Sequence, residues 1–101
     1  MHDLTIRNAT IMDGSGKARY RGDIAVDGNK ITAVEPAGTL VPGKEDIDAN
    51  GLVVTPGFVD IHTHYDGQVC WDKEVTPSSW HGVTTVVMGN CGVGLAPVHP
   101  G

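Results

Sequence analysis

Apolar and polar residues alternate over the first dozen positions. Asp3 to Met12 reads DLTIRNATIM, the period-two signature of a strand with one buried face. The run Asp13-Gly14-Ser15-Gly16 breaks it. A second alternating block, DIAVDGNKITAVEP, puts Ile24 and Val26 on one face before Asp27-Gly28-Asn29-Lys30, with Ile31 and Ala33 after it. Gly and Asn tolerate the positive φ that tight hairpin loops require, so this block predicts a β-hairpin. Pro36, Gly38, Pro42 and Gly43 mark residues 36–45 as a loop. DIDANGLVVTPG then predicts a short strand with a turn at Asn50-Gly51. Residues 1–55 are expected to form a small, mostly antiparallel β subdomain.

From Pro56 the pattern changes. GFVDIHTH is a compact apolar run ending in polar residues, which suits a strand buried on both faces. Thr76-Pro77 predicts the start of a short helix, with Thr76 as cap, Trp80 packed inward and Gly82 as terminator. VTTVVMGN is rich in β-branched residues and predicts a second buried strand, and CGVGLAPVHPG a loop. Strand, short helix and strand make a βαβ unit, the repeat of parallel α/β folds. A barrel of such units takes eight repeats and ~250 residues. Residues 56–101 are therefore expected to be the start of a truncated barrel.

Composition narrows the function classes. The chain has 101 residues, with 14 Gly and 6 Pro, which favours short strands and tight turns over a helical bundle. The net charge of −5, with scattered Lys and Arg, argues against a nucleic-acid partner, because phosphate binding needs clustered cations. No apolar run approaches the ~20 residues of a membrane span, and the polar start lacks a secretory h-region. Cys70 and Cys91 sit in unlike contexts and do not suggest a disulfide framework. A cytoplasmic protein with reduced thiols and no membrane contact is expected.

His62 and His64 carry the sharpest chemical signal. Side chains alternate faces along a strand, so Asp60, His62 and His64 share one side at the strand's C-terminal end. In a parallel barrel that end opens onto the active-site face. Two imidazoles held there can bind one metal ion, and Asp60 is placed to orient one of them as an outer partner. Asp66 continues the same row if the strand persists, though a loop is the stronger expectation by that point. A lone His-X-His is weak by itself, but the preceding Pro56-Gly57-Phe58-Val59-Asp60 is not generic. Cys91 lies just past the second strand and reaches the same edge. Neighbouring strands are ~4.8 Å apart, so its thiolate is within range of an ion held by the histidines. Other residues are weaker candidates: Cys70, Trp71 and Tyr65 suit packing or a pocket rim, His81 suits a helix C-terminus, and His2 and His99 are expected in solvent.

The stretch VTPGFVDIHTHYD, with His62 and His64 in its His-X-His, resembles the amidohydrolase superfamily. GVTTVVMGNCGVGLAP, residues 82–97, is more narrowly similar to the N-acyl-D-amino-acid deacylase (D-aminoacylase) branch. The resemblance covers essentially the whole chain. It implies a small β-sandwich over residues 1–55 and the first part of a (β/α)8 barrel over 56–101. It implies zinc, one or two ions in the full-length enzyme, held by His62, His64 and a Cys91 that stands where relatives use a carboxylated lysine or a glutamate. It also implies hydrolysis of a C–N amide bond in a small-molecule N-acyl-D-amino acid, with catalytic groups beyond residue 101 and an inactive fragment.

Two alternatives stand beside this reading. One is a cyclic amide hydrolase of the dihydropyrimidinase kind, against which Cys91 in place of a lysine argues. The other is a non-catalytic β-rich module. Open strand edges invite pairing, so a homo-oligomer or swapped assembly is expected of the fragment.

Overall fold

The computed structural model describes residues 1–91, which fall into one unit, Met1–Pro56, and a second beginning at Gly57. The loop expected over residues 91–101 lies outside this range beyond Cys91, as does His99. No helix among the described residues is long and apolar enough to cross a membrane.

The first unit is one five-stranded sheet; no second sheet occurs among its described residues. Its strands are β1 (Leu4–Ile11), β2 (Tyr20–Asp27), β3 (Lys30–Pro36), β4 (Glu45–Asp48) and β5 (Val53–Val54). β1, β2 and β3 form the expected antiparallel ladder. The loop joining β2 to β3 is Gly28-Asn29, and only Gly28 uses a positive φ, 60°. The expectation of a mostly antiparallel unit needs correction, because β4 and β5 both pair with β1 in parallel. After β3 the chain crosses to the free edge of β1. There Glu45 N–H donates to Asp3 O at 3.0 Å and Ala49 N–H to Arg7 O at 2.8 Å. Arg7 clamps the crossing through both oxygens of Asp46, at 2.7 and 2.8 Å. That fork, with a hydroxyl bond from Thr5, lowers the Asp46 carboxyl pKa to about 2.

The alternation along β1 is also not continuous. Ile6 pairs with Ile24 but Ala9 pairs with Gly22, so one extra residue is accommodated between them. The bulge is at Asn8, whose φ is 60°. An inserted residue flips the parity of a strand. Ile6 thereby shares a face with Ala9 and Ile11, and these pack with Ile24, Val26, Ala49 and Val54 into the core. Asp23, fully buried, accepts the Asn8 N–H at 2.8 Å and ties the bulge to the Leu40 N–H at 3.0 Å.

The second unit contains β6 (Phe58–Asp60) and β7 (Val83–Val86), paired in parallel. The crossover between them consists of two 3-10 turns, Gln68–Cys70 and Ser78–His81, and not an α-helix. Gly82 does end the second turn, at φ 84°. Thr76 makes no cap bond; its hydroxyl donates instead to Asp72 at 2.7 Å. The strands expected to be buried are not: Phe58, Val59 and Ile61 are each more than half exposed, because one neighbouring strand and two short turns cannot cover both faces. Trp80, expected to pack inward, is 72% exposed, since four residues of 3-10 helix have no packed face to offer it. Trp71 is similarly exposed. Gly57 is required by close approach: a Cβ there would collide with the Thr84 side chain on β7.

Candidate metal centre

Parallel pairing aligns the C-terminal ends of β6 and β7 on one edge. The ladder closes with Val87 N–H donating to Asp60 O at 2.8 Å. His62 and His64 follow on one segment and Cys91 on the other. β6 itself stops at Asp60, so the histidines lie just past the regular strand, yet the alternation continues through them. Their rings stack at a centroid separation of 5.9 Å with 2° between planes, which is close to the ~6.6 Å that two strand residues span.

One nitrogen from each imidazole and the Cys91 Sγ all lie within 4.8 Å of one another. A tetrahedral zinc, with bonds of about 2.0–2.3 Å, sets its ligand atoms roughly 3.3–3.6 Å apart. Side-chain adjustments of about 1 Å therefore suffice, and the donor set of two imidazoles and a thiolate suits that metal. Both histidines are exposed and Cys91 is half-buried, so the group is open on one side.

The two aspartates singled out with them stand apart from this group. Asp60 accepts the His62 backbone N–H at 3.2 Å, so it fixes the main chain that carries the imidazole. Asp66 sits in a turn past the strand, not in the His row. It is buried, and its Oδ2 has no hydrogen-bond partner among the described residues. Cys70 is exposed and free, and His81 closes the second 3-10 turn in solvent.

Beside the histidines is an open hollow of about 270 Å³, walled also by Thr63, Tyr65, Gln68 and Ser78. The wall is held by polar bonds that periodicity does not reveal. Tyr65 is buried and its hydroxyl meets Ser78 Oγ at 2.8 Å while accepting the Ser78 N–H at 3.2 Å. Asp72 gathers Gln68 Nε2 at 2.9 Å, Thr76 Oγ1 at 2.7 Å and the N–H groups of Thr76 and Glu74 at 2.8 and 3.1 Å. Those donors, the Gln68 amide first, hold the Asp72 carboxyl well below the usual carboxylate range. Val75, between Glu74 and Thr76, takes φ 54°, a conformation a β-branched residue avoids. The aspartate accepting from a residue two further on was a readable turn signal; its reach to Gln68 was not.

Comparison with known proteins agrees with the geometry. The model of the Amidohydrolase family matches residues 45–99. An N-acyl-D-aspartate deacylase of Alcaligenes xylosoxydans xylosoxydans is 46% identical over 96 residues, 95% of this chain and 19% of that protein. Among solved structures, an N-acyl-D-glutamate deacylase of Bordetella bronchiseptica, complexed with zinc and a phosphonate inhibitor, superposes with a TM-score of 0.80 at 38% identity. It covers 95% of this chain and 20% of that one. A D-aminoacylase with a binuclear metal centre gives 0.82 at 39% identity, over 97% and 20%. The chain thus spans about a fifth of the length of these relatives. With the family model matching more than half of its residues, and two imidazoles and a thiol gathered on one edge, the chain belongs to the amidohydrolase family.

Proposed function

We propose that these residues furnish part of the metal centre of a deacylase that hydrolyses the amide of an N-acyl-D-amino acid. Within a protein of the relatives' length, residues 1–55 belong to a β-sandwich, and residues 56–101 form the start of a (β/α)8 barrel, its first two strands with the short crossover between them. The single observation that carries this reading is the approach of His62, His64 and Cys91 to within 4.8 Å at the C-terminal edge of adjacent parallel strands. That edge is where barrel enzymes build their active sites.

His62 and His64 would hold zinc through ring nitrogens and Cys91 through its thiolate. Bound there, the ion would acidify a water and polarise the scissile carbonyl. Asp60 fixes the backbone of His62, so that imidazole meets an ion without a search over main-chain conformers. Asp66 brings a buried carboxylate close behind His64 in the chain. Tyr65 and the Asp72 cluster keep the wall of the hollow in place, which is where an acyl group or side chain would lie. Three protein ligands leave the site open to substrate, as a catalytic zinc site requires. With proton-transfer groups expected on other parts of the longer protein, the 101 residues alone are inactive.

The test is hydrolysis of N-acetyl-D- and N-acetyl-L-amino acids by the full-length protein, before and after chelation. Zinc-dependent release of the D-amino acid, abolished by His64→Ala, is expected. Equal turnover of both enantiomers, or activity indifferent to chelator, would overturn the assignment.

A further inference from the structure

The three candidate ligands all lie beyond the last ladder hydrogen bond, where paired strands no longer dictate the backbone. Fixing each such residue costs backbone conformational entropy. Left free, that cost would fall on metal binding. Past the ladder, side chains join the two segments. The Thr63 hydroxyl donates to Val87 O at 2.7 Å. The Asn90 amide donates to Ile61 O at 3.2 Å in the opposite direction.

We infer that Thr63 and Asn90 are positioning residues that hold the His62–His64 segment and the Cys91 segment at metal-binding distance. The inference rests on the metal-centre reading above. Thr63 stands between the two histidines, and Asn90 directly precedes Cys91 and reaches to the residue before His62. Each ligand is therefore adjacent in the chain to a bridging residue or to its acceptor. Thr63, of opposite parity to His62 and His64, is 4% exposed, whereas they are open to solvent. The bridging hydroxyl and the ligand nitrogens are thus carried on residues of opposite parity, and the Thr63 bond to Val87 uses neither imidazole. Both bonds end on main-chain oxygens, so they register backbone against backbone whatever side chains occupy positions 61 and 87. Outer groups of this kind orient ligands and raise metal affinity.

The test is a Co²⁺ titration of the 101-residue chain under reducing conditions, with Zn²⁺ competition. Read in a Cys70→Ser background, because Cys70 is exposed and free, the sulfur-to-cobalt charge-transfer band reports Cys91 ligation separately from overall binding. Thr63→Val keeps the volume and loses the donor, Asn90→Ala removes an exposed amide, and Thr63→Ser keeps the hydroxyl. Thr63→Val and Asn90→Ala are expected to weaken cobalt binding by about 10–100-fold, with the charge-transfer band lost first. Thr63→Ser should restore both. Wild-type affinity and band in Thr63→Val and Asn90→Ala would overturn the inference while leaving the metal centre intact. A wild-type chain with no sulfur band would overturn both. Asn90 lies on the surface, so its variant decides the question even if Thr63→Val fails to fold.

Discussion

Replacing Asp23 tests whether one buried carboxylate holds the first unit together. It is fully buried on the central strand β2, and it accepts the Asn8 N–H at the β1 bulge and the Leu40 N–H of the loop before β4. Burial pushes its carboxyl up, but backbone N–H groups of Asn8, Leu40, Thr39 and Gly38 outweigh that and hold it below the ordinary value. Asp23→Ala leaves at least two donors without acceptors, at about 1–3 kcal/mol each. With partial rehydration, a loss of about 3 kcal/mol is expected. A domain of this size has only ~3–8 kcal/mol in all, so the variant should lose between about a third and all of its stability. Asp23→Asn keeps one acceptor but turns an amide toward the other donor, and should lose about 1–2 kcal/mol. Urea titration by far-UV circular dichroism measures this. At about 1 kcal/mol/M, the Asn variant moves the midpoint down by roughly 1–2 M. Because the folded pKa is depressed, the contribution is full above the unfolded value near 3.9 and fades as pH falls toward the lower folded one. Asp23→Asn should flatten that acid slope. A midpoint for Asp23→Ala within about 0.5 M of wild type would refute the reasoning.

Other consequences are open to measurement. Gly57→Ala places a methyl into Thr84 and should loosen the β6–β7 pairing by about 1–3 kcal/mol. Amide exchange at Val87, whose N–H donates to Asp60 O across that pair, reports it, and Gly57→Ala/Thr84→Gly should recover the loss. Asp72→Asn should speed amide exchange at Glu74 and Thr76 at neutral pH. In the wild-type chain the depressed Asp72 carboxyl keeps those bonds above the ordinary carboxylate range and yields them only as pH falls through its lowered value. Unchanged protection at both amides would show that the turn stands without the carboxylate. Cys91→Ala should weaken zinc binding by more than about tenfold, measured against a competing chelator, with circular dichroism unaltered. Equal affinity would remove the thiolate from the site.

Much of the fold was legible because it is local. Alternation located β1, β2 and β3 along the chain, and Gly28 marked the hairpin because its loop needs a positive φ. Parity along DIHTH placed both imidazoles on one side even after the ladder had stopped. These follow from side-chain period and backbone sterics, which each residue carries with it. The sequence motifs also pointed to the family that the comparison shows.

What the tertiary structure decided depends on distant partners. The bulge at Asn8 exists because a buried carboxylate on the neighbouring strand accepts its N–H. Parallel pairing of β4 and β5 with β1 arises because the connection after β3 returns the chain past β2 to the start of β1 before pairing resumes. The exposure of Trp80 and of β6 turns on which layers cover them, which no local pattern encodes. Cys91 meets His62 and His64 only through the register of two strands, backed by Thr63 and Asn90. Local chemistry chose which atoms can bind a metal, and long-range hydrogen bonding chose whether they meet.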